Sequence, residues 1–159
     1  MSTQKERICF QIANHEDALK GLSLAKSYIR ELARWTSFDF SFSKLSSNIV
    51  EAIDDPNQLI VAAYYQGDLI GFIWCYVWSP VWTYDGVCSD IVMYVSPEHR
   101  GMNTGKGLIE LMLRWAELKE AKYVQVGANS GIHNDMPART LYKSKGFKES
   151  GYTLYKEVT

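Results

Sequence analysis

The spacing of apolar positions changes several times along the chain, and each change marks an element. Ile8, Phe10 and Ile12 alternate with polar residues between Arg7 and Ile12 and predict a first strand. Asn14 fits an N-cap with Asp17 in the first turn, and Leu19, Leu22, Ala25 (or Lys26) and Ile29 follow helical spacing toward Arg34. From Trp35 to Phe42 polar and aromatic residues take turns. A second helix is predicted from about Ser43 to Ile53, ended by Asp54-Asp55-Pro56. Gln58 to Tyr65 and Leu69 to Trp78 are rich in β-branched and aromatic residues and predict a hairpin across Gln66-Gly67-Asp68. Ser79 to Gly86 reads as a loop, and Val87 to Val95 as a third long strand stopped by Ser96-Pro97. Leu108, Leu111, Met112, Trp115 and Leu118 mark one face of a helix from about Thr104 to Glu120. Lys122 to Gly127 predicts a strand. A short helix starts near Pro137, with Gly146 at its C′ position and Phe147 as the apolar follow-up. Phe147 to Val158 predicts one or two closing strands around Gly151. The order β-α-α-β-β-β-α-β-α-β is that of an α/β protein with helices flanking a mixed sheet.

Composition narrows the class. The 159 residues fit one domain spanning 1–159, with no linker, repeat or low-complexity tract, and 47% hydrophobic with 22% charged residues is ordinary for a globular chain. Seventeen basic against 18 acidic residues argue against a dedicated nucleic-acid binder. The longest apolar stretch, Leu69 to Trp78, is about half the ~20 residues a membrane helix needs. Cys9, Cys75 and Cys88 are widely spaced, without a CxxC pair, and predict reduced buried thiols in a cytoplasmic setting. The start of the chain lacks the apolar core of a secretory signal.

Chemistry concentrates between Val95 and Leu108, where a strand runs through Val95-Ser-Pro-Glu-His-Arg100-Gly-Met-Asn-Thr-Gly105-Lys-Gly-Leu108 into a helix. Such a turn directs backbone N–H groups and the positive end of a helix dipole at a phosphate. A Walker A loop is excluded: Gly101 and Gly105 enclose three residues where that motif needs four, and Gly107 stands where a hydroxyl residue would be required. The G-x-G-x-x-G pattern is absent as well.

At these residues the chain resembles the GNAT superfamily of N-acetyltransferases. Arg100-Gly-Met-Asn-Thr-Gly105 is similar to its Gln/Arg-x-x-Gly-x-Gly/Ala signature, with Asn103 in place of the middle glycine. Asparagine tolerates the left-handed backbone best after glycine. Downstream, Ala138-Arg-Thr-Leu-Tyr142-Lys-Ser-Lys-Gly146-Phe147 is similar to the family's Ala-x-x-Leu-Tyr-x-x-x-Gly-Phe segment. Asp135 stands where the family usually has Asn, with Asn134 one position earlier. The resemblance covers about Val87 to Phe147. It implies a single-domain GNAT-like fold: a mixed, mostly antiparallel sheet whose central parallel strands splay apart. It implies acetyl-CoA as co-substrate, no metal, and the primary amine of a small molecule or peptide as acceptor. Coenzyme contacts would fall on the main chain of Met93, Tyr94 and Val95, on the turn Arg100, Gly101, Met102, Asn103, Thr104, Gly105 and Lys106, and on Asn134 and Lys145.

An amine attacks a thioester only when neutral, so an ammonium of pKa near ~10 must first lose a proton. Asp90, on the strand leading into the loop, is the candidate acceptor. The competing reading is a strand-end aspartate facing solvent or pairing with a lysine. Strand alternation places Asp90, Val92 and Tyr94 on one face. Tyr142 occupies the position where the resemblance implies a proton donor to the departing thiolate. His15, His99 and His133 share no ligand spacing. Aromatic residues gather on the acceptor side: Trp35, Phe38, Phe40 and Phe42 between the first two helices, Trp74 and Trp78 on a strand face, and Trp82 and Tyr84 in the loop after it. Trp35, Phe38, Trp74 and Trp78 are candidate substrate contacts; a contact between two copies of the chain explains the cluster equally well. The competing function is a non-catalytic acyl-CoA-binding or protein-interaction module on the same fold.

Overall fold

A computed structural model describes residues 7–32, 37–128 and 136–158. Its elements are β1 (Cys9–Ile12), α1 (His15–Glu31), α2 (Phe42–Asp54), β2 (Gln58–Tyr65), β3 (Asp68–Trp78), β4 (Gly86–Val95), a 3₁₀ turn (Pro97–His99), α3 (Thr104–Leu118), β5 (Ala121–Gln125) and α4 (Met136–Ser144). The sheet order is β1-β2-β3-β4-β5, with β1 to β4 antiparallel and β4–β5 parallel. Helix α3 covers one face, where Leu108, Met112 and Ala116 meet Leu59, Val61, Ile70, Ile73, Cys75 and Cys88. On the other face Ala52 of α2 packs with Ala13, Ile60 and Trp74. Among the described residues no helix is long and apolar enough to cross a membrane.

The β2–β3 hairpin turns on Gln66 and Gly67, at φ 52° and 87°, and Asp68 already pairs with Tyr65. Positive φ at both central residues is the two-residue turn whose twist matches the strands. At Gly107 of α3 an added Cβ would lie 2.2 Å from the Phe10 ring, so the glycine lets β1 dock against the helix.

Two expectations are corrected. Residues 147–158 form no strand, and the Tyr152 and Leu154 side chains that the alternation placed together are 95% and 91% exposed. Among the described residues β5 therefore lies at the sheet edge and not at its centre. Of the cysteines, Cys75 and Cys88 are buried but Cys9 is exposed, because β1 is an edge strand.

The start of α1 is secured by Asp17. Asn14 Oδ1 accepts from the N–H of Glu16 and Asp17 at 2.9 and 3.1 Å, and Asp17 Oδ2 accepts from the Asn14 N–H at 2.8 Å. Asp17 is 5% exposed and also accepts from Gln11 Nε2 at 2.9 Å and from the Tyr64 hydroxyl, tying the helix start to β1 and β2. Burial opposes its charge, but the bonds from Tyr64, Asn14 and Gln11 prevail and hold the carboxyl below its usual range. Asp17→Ala leaves these donors unmatched and is expected to cost about 2–3 kcal/mol in urea unfolding at neutral pH. Because the folded pKa is lowered, the stabilisation is present above the ordinary carboxylate pKa and lost as pH falls through the lowered one. The gap between wild type and Asp17→Ala should therefore narrow in acid, which melts across a pH series will read.

Candidate active site

The site is organised by one extra residue in β4. Trp74 pairs with Val92 and Cys75 with Asp90, which leaves Ile91 without a partner, a β-bulge. Directly paired residues of antiparallel strands share a face. Asp90 thus sits on the α3 side with Cys75, while Val92 joins Trp74 on the α2 side. This corrects the alternation expected from sequence, which put Asp90, Val92 and Tyr94 together. Parallel pairing with β5 ends at Ser89–Gln125, so Asp90 to Val95 face an opening where that neighbour has diverged. The main chains of Met93, Tyr94 and Val95 border it. Gly127 N–H donates to Asp90 Oδ1 at 3.0 Å across its mouth.

Burial is the main force on the Asp90 carboxyl and pushes it up to about 6 despite the Gly127 bond. Tyr142 comes to the same gap from α4. It is 5% exposed, and burial first, then the Asp90 charge, raise its phenol pKa. The hydroxyl has no hydrogen-bond partner among the described residues, while the ring stands edge-on to Phe147 at 5.5 Å. Gly146 at φ 90° ends the helix, and Tyr142 O accepts from the N–H of Lys145 and Phe147 at 2.9 and 3.2 Å. The structure thus brings the two candidate catalytic residues together.

In the turn, Gly101 and Asn103 have φ of 84° and 65°, so Asn103 takes the left-handed conformation. No side chain caps α3 among the described residues, and the first intrahelical bond runs from Gly107 N–H to Asn103 O at 3.1 Å. The N–H groups of Thr104, Gly105 and Lys106 therefore lack intrahelical partners at the positive end of the helix. Thr104 Oγ1 is buried without a hydrogen-bond partner among the described residues. The backbone suits a phosphate.

The side chains expected to assist it are engaged inside the fold. Arg100 donates from its two terminal nitrogens to Glu31 at 3.0 and 2.8 Å and from Nε to Val95 O at 3.0 Å, and lies 5.4 Å above the Tyr94 ring. Lys145 pairs with Glu110 and ties α4 to α3. A Cβ on Gly105 would lie 3.0 Å from Leu141 Cδ2, so this glycine seats α4 on the first turn of α3. Met102 is half-buried and Lys106 exposed in the same turn. Asn134 lies outside the described residues.

Of the acceptor candidates, Trp35 also lies outside the described residues. Phe38 is 68% exposed. Trp78 Nε1 donates to Ser89 Oγ at 2.8 Å. Trp74 is buried under α2, with Nε1 donating to Gln58 Oε1 at 2.9 Å, so its expected place in a pocket gives way to a packing role. Sequence reasoning missed Tyr28 and Glu31 on α1. Tyr28 stacks edge-on against Tyr94 at 5.4 Å, and burial, then the Asp90 charge, raise its phenol. Glu31 accepts from the Tyr94 hydroxyl as well as from Arg100, and these bonds outweigh burial and lower its carboxyl. Helical spacing in this segment marked Leu19, Leu22, Ala25 and Ile29 and passed over both residues, while Leu19 of that stripe is 71% exposed.

The sequence matches the acetyltransferase (GNAT) family over residues 26–147. The chain belongs to this family, and it is an enzyme of the acetyl-CoA-dependent N-acetyltransferase class. No curated protein matches the sequence. Among solved structures the fold resembles an aminoglycoside acetyltransferase from an uncultured soil metagenomic sample, in complex with sisomicin (16% identity, 96% of this chain and 97% of that one, TM-score 0.74). It also resembles a predicted acetyltransferase with acetyl-CoA from Clostridium acetobutylicum (15%, 95% and 96%, TM-score 0.77). A ribosomal-protein-alanine N-acetyltransferase from Brucella melitensis is similar too (19%, 96% and 100%, TM-score 0.72).

The elevated Asp90 pKa has a cost for the fold. The protonated carboxyl is the favoured buried form. Its advantage is complete below the unfolded pKa of about 3.9 and is lost as pH rises through about 6. Asp90→Asn stays neutral and keeps an oxygen for Gly127 N–H. It is expected to be more stable than wild type by about 1–3 kcal/mol at pH 8. Melts at pH 4 and pH 8 should show that difference only at the higher pH.

Proposed function

We propose that the protein moves an acetyl group from acetyl-CoA to a primary amine by direct attack, with Asp90 taking the amine proton and Tyr142 supplying one to the leaving thiolate. The observation that carries the reading is the pairing of opposite proton tasks at one gap. A carboxyl pushed up to about 6 is ionised near neutral pH yet basic enough to accept a proton. A buried phenol with a raised pKa stays protonated and can donate. The free N–H groups of the first turn of α3 hold the pyrophosphate, and the unpaired edge of β4 at Met93 to Val95 holds the pantetheine arm as an added strand would. The amine lone pair forms the N–C bond, the C–S bond breaks with its electron pair passing to sulfur, and Tyr142 protonates that sulfur. Arg100 acts in this scheme by shaping the turn through Glu31 and Val95 O.

Acetyl-CoA should raise the melting temperature by several degrees, and free thiol should appear when amines are added. Tyr142→Phe keeps the ring against Phe147 and should retain acetyl-CoA affinity while kcat falls about 10- to 1000-fold. Full activity in a folded Tyr142→Phe protein excludes the donor role.

A further inference from the structure

Glu31 is the last residue of α1, and it meets the turn before α3 from 69 positions away in sequence. Its carboxylate accepts from both terminal nitrogens of Arg100, at 3.0 and 2.8 Å, and also from the Tyr94 hydroxyl. Tyr94 is 3% exposed and has Tyr28 of α1 edge-on against it at 5.4 Å, so the carboxylate is held from the sheet as well as from the turn. The guanidinium lies 5.4 Å from the centre of the Tyr94 ring, and its Nε donates to Val95 O at 3.0 Å. That oxygen belongs to the open edge of β4. Val95 stands opposite Gly71, while the next residue, Ser96, donates its N–H to Ile70 O at 2.8 Å. Successive residues of an antiparallel strand bond to alternate sides, so Val95 turns its N–H and O away from β3. Arg100 is followed by Gly101 and Asn103, whose φ of 84° and 65° bring the chain round into α3. One guanidinium thus spans the edge of β4, the start of the turn and α1, with all three of its nitrogens engaged by the protein. A phosphate reaches its terminal nitrogens only by displacing Glu31.

We propose that Glu31 is a positioning residue for the coenzyme: by fixing Arg100 it sets the turn whose N–H groups meet the pyrophosphate, although its own charge repels that anion. The proposal rests on the coenzyme site of the acetyl-transfer reading and adds to it a residue of α1 that acts through Arg100. The sign of the effect separates two roles for the pair. If Arg100 served the phosphate as a cation, Glu31 would be its competitor. Neutralising Glu31 would then free the guanidinium and remove a repulsive charge, and binding would tighten. With Arg100 as a strut, neutralising Glu31 removes the charge-assisted bonds that hold the strut. The N–H groups of the turn then lose their aim at a ligand whose binding tolerates little misplacement.

Calorimetric titration of acetyl-CoA into the full chain, as wild type and as Glu31→Gln, reads that sign without turnover. Kd is expected to rise about tenfold in Glu31→Gln; tighter or unchanged binding overturns the proposal. In an Arg100→Met background the same change at Glu31 should cost nothing further, because the strut is already gone. Equal losses in both backgrounds show that Glu31 does not act through Arg100 and overturn it. S-acetylpantetheine, which carries the thioester arm without the pyrophosphate, separates positioning of the turn from general loosening. Its kcat/KM, followed by thiol release, should be nearly the same in wild type and Glu31→Gln; a loss as large as with acetyl-CoA overturns the proposal. Should Glu31→Gln fail to fold, Arg100→Lys is read in its place, since it keeps the cation and loses the planar fork. Weaker acetyl-CoA binding by Arg100→Lys supports the strut, and unchanged binding overturns it. No binding of acetyl-CoA by wild type overturns the coenzyme site and the proposal together, whereas binding by wild type that neither variant weakens overturns the proposal alone.

Discussion

One extra residue in one strand governs the arrangement of this site. With Ile91 inserted opposite the Trp74–Cys75 step, β4 cannot continue in register with both neighbours. It keeps β3, with which it forms the longer ladder, and leaves β5 after Ser89. The opening exposes backbone groups that a regular sheet would pair. The same insertion sets Asp90 on one face and Val92 on the other, so the carboxylate borders the breach, where Gly127 N–H meets it. Its raised pKa follows from that position.

Around the breach, side chains hold the framework and main-chain groups are left without partners in the sheet and helix. Arg100 is a charged residue in a loop that presents unpaired backbone N–H groups, yet its donors go to Glu31 and Val95 O. A bidentate guanidinium–carboxylate pair fixes geometry better than a lone cation would, and here it joins the C-terminal end of α1 to the turn before α3. Tyr94 completes the link by donating to Glu31 and lying under the guanidinium. Lys145 does the same between α4 and α3. Through Arg100 the turn is held to both α1 and the end of β4.

Elements whose signal is carried within one segment were legible in the sequence. The hairpin, the Asn14 cap and the Gly146–Phe147 stop all appear where local period and capping chemistry placed them, within a residue or two, and the α3 stripe does so apart from Leu118, which is 82% exposed. What was not legible depends on a partner. The bulge at Ile91 exists only relative to β3, so alternation along β4 alone gave the wrong face for Asp90. The aromatic face of β3 was visible, but whether α2 covers Trp74 or leaves it open is decided by tertiary packing. Tyr152 and Leu154 alternate as a strand would, and propensity without a surface to bury does not make one. Tyr142 was found through its resemblance to a family segment, whereas Tyr28 and Glu31 carried no local signal, since their partners Tyr94 and Arg100 lie far along the chain.

The contact between Gly105 and Leu141 has a consequence of its own. Residue 105 opens the helix whose N–H groups face the gap, and residue 141 precedes the tyrosine on the helix that reaches into it. The missing Cβ of one is the space taken by the methyl of the other. The two positions share a single volume, so a side chain at 105 is admitted only if Leu141 gives way by a few tenths of an ångström. In a redesign of this enzyme, 105 and 141 are best varied together.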